Sequence, residues 1–215
     1  AWQRTRERIP AARDFWLPRL PADLPPLALP TISLGAAARY TARLGGYTEI
    51  NLDDATCAAI FSCASELGAD PEAVVHAALA ALVFRYGDNQ TVPIVRYFHN
   101  PQVDLGDPAV FRVSPRPTIV SPERDMRFAD LVAQVEVDTA AVEQWQDVPL
   151  ELLDLPHRID IENGIDPAFQ VGLRYWESEV DDTGIVPDTN AVGGTFSAYR
   201  RFRLTTDLEL SVTNY

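Results

Sequence analysis

Residues 71–87, PEAVVHAALAALVFRYG, constrain the fold more than any other stretch of the chain. Val74, Val75, Ala78, Leu79, Leu82, Val83 and Tyr86 recur at helical spacing and give a broad apolar face. Asp70-Pro71 is a start signal, a capping carboxylate followed by proline in the first turn, and Gly87 is a stop. A helix apolar over so wide an arc must be buried. Ala77, Ala78, Ala80 and Ala81 let a neighbour approach closely, and a sheet is the surface that fits. Thr91–Val95 follows as a buried strand, and Asp53 caps a preceding helix that ends near Gly68.

The rest of the chain adds layers to this unit. Residues 2–8 and 11–19 read as two short helices separated by Pro10, and Pro18, Pro21, Pro25, Pro26 and Pro30 open a proline-rich surface strap over 18–46. Tyr47–Leu52 alternates as a short strand. Asn100-Pro101 and Gly106-Asp107-Pro108 mark a loop. Asp125 caps a third long helix with Phe128, Leu131, Val132, Val135 and Val142 on one side, and a shorter helix starts near Pro149. Phe169, Val171, Leu173 and Tyr175 alternate as a strand, as do Leu208, Leu210 and Val212, and Phe196–Leu204 is a further strand candidate. The acidic stretch 178–194, with its glycines and prolines, reads as a mobile loop. The order predicts an α/β fold in one unit spanning 1–215, a two-layer sandwich with a mixed β-sheet packed by helices.

Charge and composition exclude several functions. A net charge of −13 argues against nucleic acid and against an anionic membrane surface, since both select clustered positive charge. All 18 basic residues are arginine, which removes lysine-based chemistry. No run of about 18 apolar residues and no signal-peptide pattern occurs, so a cytoplasmic location is expected. Cys57 and Cys63, six apart on one predicted helix, point to different faces and do not pair. No nucleophile elbow, glycine-rich phosphate loop or dinucleotide fingerprint is present. The histidines, His76, His99 and His157, lack the spacing of a helical metal pair. His76 reads as a packed helix residue, and His99 as a loop residue beside Asn100-Pro101. Residue chemistry alone therefore defines an α/β domain without a recognisable active site.

Several stretches, in order, resemble the later motifs of nonribosomal peptide synthetase condensation domains. Ala1-Trp2-Gln3-Arg4 is similar to the tail of the fourth motif, followed by Phe15-Trp16-Leu17 and the strap Leu24-Pro25-Pro26-Leu27-Ala28-Leu29-Pro30. The helix Val74–Arg85 with Tyr86-Gly87 resembles the family's alanine- and leucine-rich helix that closes on "RYxG". Gln146-Asp147-Val148-Pro149-Leu150-Glu151 resembles the sixth motif, "QDxPFE", and Asp166-Pro167-Ala168-Phe169-Gln170-Val171 the seventh, "RNPLFQV". Leu210–Tyr215 is similar to the late "YNTDLF" strand.

The resemblance implies the C-terminal lobe of a chloramphenicol-acetyltransferase-like fold. The catalytic HHxxxDG motif would then lie on an N-terminal lobe absent from this sequence, which has no His-His dipeptide. It also implies adenylation and peptidyl carrier domains as partners, with phosphopantetheine carried by the carrier proteins rather than bound here. The departures are informative. The arginine of the family's "GxxxxxR" segment, which pairs with the motif aspartate, falls on Asn100, with Arg96 as a displaced substitute in a different register. The fifth motif is barely recognisable in Asp107–Phe111, and Ile165 and Asp166 replace the arginine and asparagine of the seventh. The expectation is a partial, non-catalytic condensation-type domain acting as platform or docking surface. The alternatives are half of an active condensation domain, or a free-standing acyltransferase using one of its histidines.

Overall fold

The structure, a computed structural model, describes residues 2–29, 48–87, 89–99, 113–155, 166–177 and 206–214. Helix α1 spans Trp2–Trp16, α2 Asp54–Leu67 and α3 Pro71–Gly87. Strands β1 (Val92–His99) and β2 (Val113–Val120) precede helix α4 (Phe128–Glu143). Short 3-10 turns at Leu150–Leu152 and Pro167–Phe169 lead to β3 (Val171–Glu177) and β4 (Leu208–Asn214).

The described sheet runs β2-β1-β3-β4. β1 and β2 are antiparallel, from Val92↔Val120 to His99↔Val113. β3 and β4 are parallel, from Val171↔Leu208 to Glu177↔Asn214. Between these two ribbons, β1 and β3 run parallel with the register pairs Val95↔Gly172 and Arg96↔Leu173. The expected α/β architecture with a mixed sheet is therefore present.

β2 has no counterpart in the sequence reading, and it carries two residues that sheets seldom hold, Pro115 and Pro117. Both are tolerated on the outer strand, where alternate N–H groups point away from β1 and a missing donor costs no ladder bond. At the next outward position, the Ile119 N–H donates to Asp138 Oδ2 of α4 (2.7 Å). Helix and prolines together blunt this edge.

The main core lies between the sheet and helices α3 and α4. Val92, Ile94, Val120, Val171 and Leu173 meet Ala77, Leu79, Ala80 and Val83 of α3 and Leu131, Val132 and Val135 of α4. Each valine or leucine so buried contributes roughly 1.5–3 kcal/mol. α3 is rotated relative to its expected apolar face. Ala73, Ala77 and Ala80 are buried, whereas Leu82 and Tyr86 are 50% and 66% exposed. The alanines permit close approach to the sheet, and that contact outweighs burial of the larger side chains.

Further boundaries differ from expectation. α1 is one helix through Pro10, because docking of Ala12 and Trp16 into a second core compensates the lost backbone bond. α4 begins at Phe128 with Arg127 at its cap, while Asp125 sits in the turn before it. The helix expected near Pro149 is a single 3-10 turn. Residues 48–52 form no strand, and Ile50 and Leu52 are exposed. The strap anchors itself by burying Leu20 and Leu27. Asp53 caps α2 by accepting from the Thr56 N–H (2.8 Å), and Gly68 closes it in the left-handed region at φ 65°, both as expected. Cys57 and Cys63 are free thiols. The strand candidate Phe196–Leu204, the loop 178–194 and most of the 18–46 strap lie outside the described residues. Among the described residues no single helix is long and apolar enough to cross a membrane.

Candidate functional site

The motif residues form two junctions that share the second core. The first is the turn after α4. Asp147 pairs with Arg8 of α1, and the same guanidinium donates to the Gln144 carbonyl and lies 4.8 Å from the Trp145 ring centre. Arg13 Nε donates to the Leu153 carbonyl (3.1 Å), and Phe15 packs against Trp145 at 5.8 Å between centroids. Arg116 of β2 reaches the turn from the sheet side and donates to the Val148 carbonyl (2.8 Å). Burial pushes the Arg116 guanidinium down to about 10, so it stays cationic at neutral pH. Pro149 caps the 3-10 turn, and Gln146 Oε1 is buried with no hydrogen-bond partner among the described residues.

The second junction is the start of β3. Asp166 accepts from the Ala168 N–H (3.0 Å) and fixes the Pro167–Phe169 turn. Gln170, 4% exposed, accepts from the Leu27 N–H of the strap and donates to Asp207 Oδ2 (3.1 Å). Its carbonyl takes the N–H groups of Asp207 (2.7 Å) and Leu208 (2.9 Å). One residue thus joins strap, β3 and β4. The two junctions meet because Val148 and Ala168 are buried in the same cluster as Ala12, Trp16 and Leu153, with Phe169 packed against it.

The other expected site positions separate. His76 is fully buried, with Nε2 3.2 Å from Thr118 Oγ1, and burial followed by the Arg96 charge pushes its pKa down to about 3. The imidazole is therefore neutral at neutral pH and sealed between helix and sheet. His99 ends β1 rather than sitting in a loop. His157 and Asn100 lie outside the described residues. Arg96 is ion-paired with Glu72 and donates to Thr139 Oγ1 (2.8 Å), bracing β1 against α3 and α4. It presents no free guanidinium. Among the described residues no three His, Cys, Asp or Glu side chains converge on a metal position.

One cluster was missed from sequence. Tyr97 donates to Glu209 Oε2 (2.8 Å), Arg174 Nε lies 2.9 Å from Glu209 Oε1, and the Arg174 guanidinium sits 4.2 Å from the Tyr97 ring centre. The available signal was Gly172 inside an alternating strand, which marks a close approach.

No protein-family model and no curated protein matches the chain. Solved structures do. The fold is that of the condensation-type domains of peptide-synthetase systems. The X-domain in the complex of X-domain and OxyB from teicoplanin biosynthesis is 27% identical over 82% of this chain and 39% of its own, with a TM-score of 0.65. The first condensation domain of the calcium-dependent antibiotic synthetase, with a substrate analogue, matches over 79% of this chain and 36% of its own at 15% identity and a TM-score of 0.59. The condensation domain of the Monacolin K polyketide synthase MokA matches over 81% and 44% at 18% identity and a TM-score of 0.56. The chain spans less than half the length of these structures.

Proposed function

We propose that this chain is part of a condensation-type domain that docks partner proteins of a peptide-synthetase system instead of forming amide bonds. The likeness to an X-domain 27% identical to this chain carries this reading, because that domain is found in a complex with OxyB. The geometry agrees: Asp147, Gln170, Arg96 and His76 all face internal partners. A proton shuttle must come within hydrogen-bond distance of the reacting group, and His76 is fully buried against Thr118. The partners are an OxyB-like protein and the adjacent adenylation and carrier domains, with phosphopantetheine as the carriers' own arm. The setting is the cytoplasm.

The test is a binding titration of the chain against OxyB and against donor and acceptor carrier proteins, with an amide-formation assay on the same samples. Saturable binding without amide formation is the expected result. Amide formation above background, or no binding to any partner, refutes the reading.

A further inference from the structure

The sheet consists of two ribbons joined by a narrow seam. β1 and β2 share eight register pairs and β3 and β4 share seven, whereas β1 and β3 share two. Backbone bonding is therefore weakest between the ribbons, and a sheet opens first where its ladder is shortest.

A side chain from the far ribbon crosses this seam. Glu209 of β4 pairs with Gly172 of β3, and Gly172 pairs with Val95 of β1. Tyr97 and Arg174 lie two residues further along on the same face. To reach Tyr97, the Glu209 side chain must pass over β3, and Gly172 leaves the way open. A Cβ added there would stand 3.2 Å from Thr206 Cγ2 and 3.5 Å from both Glu209 Cγ and Oε2. The carboxylate then bridges the Tyr97 hydroxyl and the Arg174 guanidinium, and Arg174 stacks back over Tyr97.

We propose that the β3–β4 ribbon opens from the β1–β2 ribbon as a unit at the β1–β3 seam, and that Glu209, passing over Gly172 to Tyr97, is the lock on that opening. The Tyr97–Glu209 bond crosses the seam, whereas the Glu209–Arg174 ion pair lies within the β3–β4 ribbon, so losing the bond to Tyr97 favours the opened form without weakening β1–β2. Tyr97 stays protonated and able to donate, since burial and the neighbouring Glu209 both push its hydroxyl pKa up.

Hydrogen exchange followed by mass spectrometry on the whole chain tests this, comparing the parent with Tyr97→Phe and Glu209→Gln. Tyr97→Phe removes one charge-assisted hydrogen bond, and amides of 171–177 and 208–214 should exchange roughly 10- to 100-fold faster. Amides of β2 and α3 should keep their parent rates. If Tyr97→Phe does not fold, Glu209→Gln carries the same test, since it keeps the side-chain shape and turns the charge-assisted bond from the Tyr97 hydroxyl into a neutral one. The ion pair with Arg174 that it also removes lies within the β3–β4 ribbon and does not hold the seam. Equal acceleration across all four strands would make the sheet one cooperative unit and overturn the proposal. So would unchanged exchange in β3 and β4.

Discussion

Gln170→Leu offers the sharpest test of how the motif residues work. The substitution keeps most of the side-chain volume and removes both ends of the amide. The Leu27 N–H then loses its acceptor at a residue only 6% exposed, and an orphaned buried donor costs about 1–3 kcal/mol. The bond to Asp207 Oδ2 also goes, but water replaces it because Asp207 is exposed, so that loss is at the low end of about 0.5–1.5 kcal/mol. Together the expected destabilisation is about 1.5–3.5 kcal/mol, or a Tm lower by roughly 3–14 °C for a chain of this size. Urea unfolding followed by circular dichroism and tryptophan emission reads it directly, with coincident transitions as the check on two-state behaviour. Asp207→Asn, a control at the exposed partner, should lose less than about 1 kcal/mol. A Gln170→Leu loss below about 0.5 kcal/mol, within the range of ordinary surface substitutions, would refute the reasoning that this glutamine is a structural junction.

His76 predicts a pH dependence. Its folded pKa is about 3 against 6.5 when unfolded, so between those values the unfolded chain binds the extra proton and stability rises with pH. The slope from this group is at most about 1.4 kcal/mol per pH unit and vanishes above pH 6.5 or so. The urea-midpoint difference between parent and His76→Gln should therefore change between pH 4 and 6.5 and stay flat from 7 to 9; parallel curves throughout contradict it. Arg116→Ala leaves an orphan carbonyl at Val148 and a cavity, and should cost about 3–5 kcal/mol by urea unfolding. Arg116→Met fills the space and removes a desolvated cation, so it should lose less than half as much; equal losses would show that packing is irrelevant there. Trp16→Ala, at a fully buried anchor, should cost about 3–5 kcal/mol and red-shift the emission of Trp145 as α1 detaches, measured by denaturation and fluorescence.

Local signals in the sequence reported what local physics decides. The Asp53 cap, the Gly68 terminus, the α3 boundaries and the strands β3 and β4 depend on neighbours in the chain, and each appears in the structure, although Phe169 lies in the 3-10 turn before β3 and the alternating Leu208 and Leu210 of β4 are exposed. Elements decided by distant contacts were not legible. β2 exists because α4 and β1 take up its backbone groups despite Pro115 and Pro117, and α1 is continuous because Trp16 is buried at a distance from Pro10. The strand expected at Tyr47–Leu52 has alternation but no described strand beside it, and alternation without a partner makes no ladder. The motifs themselves were visible as short strings. Their roles were not, because Gln170 and Asp147 find their partners 143 and 139 residues away. The Tyr97–Glu209 lock was invisible for the same reason, since 112 residues separate its ends.

Native mass spectrometry of this chain mixed with OxyB and with loaded donor and acceptor carrier proteins tests the docking account most directly, because one spectrum reports both assembly and chemistry. The account predicts mass peaks for the chain bound to a partner, while each carrier keeps the load it started with. An acceptor carrier gaining the donor's acyl group, or a spectrum with the chain always alone, would contradict it.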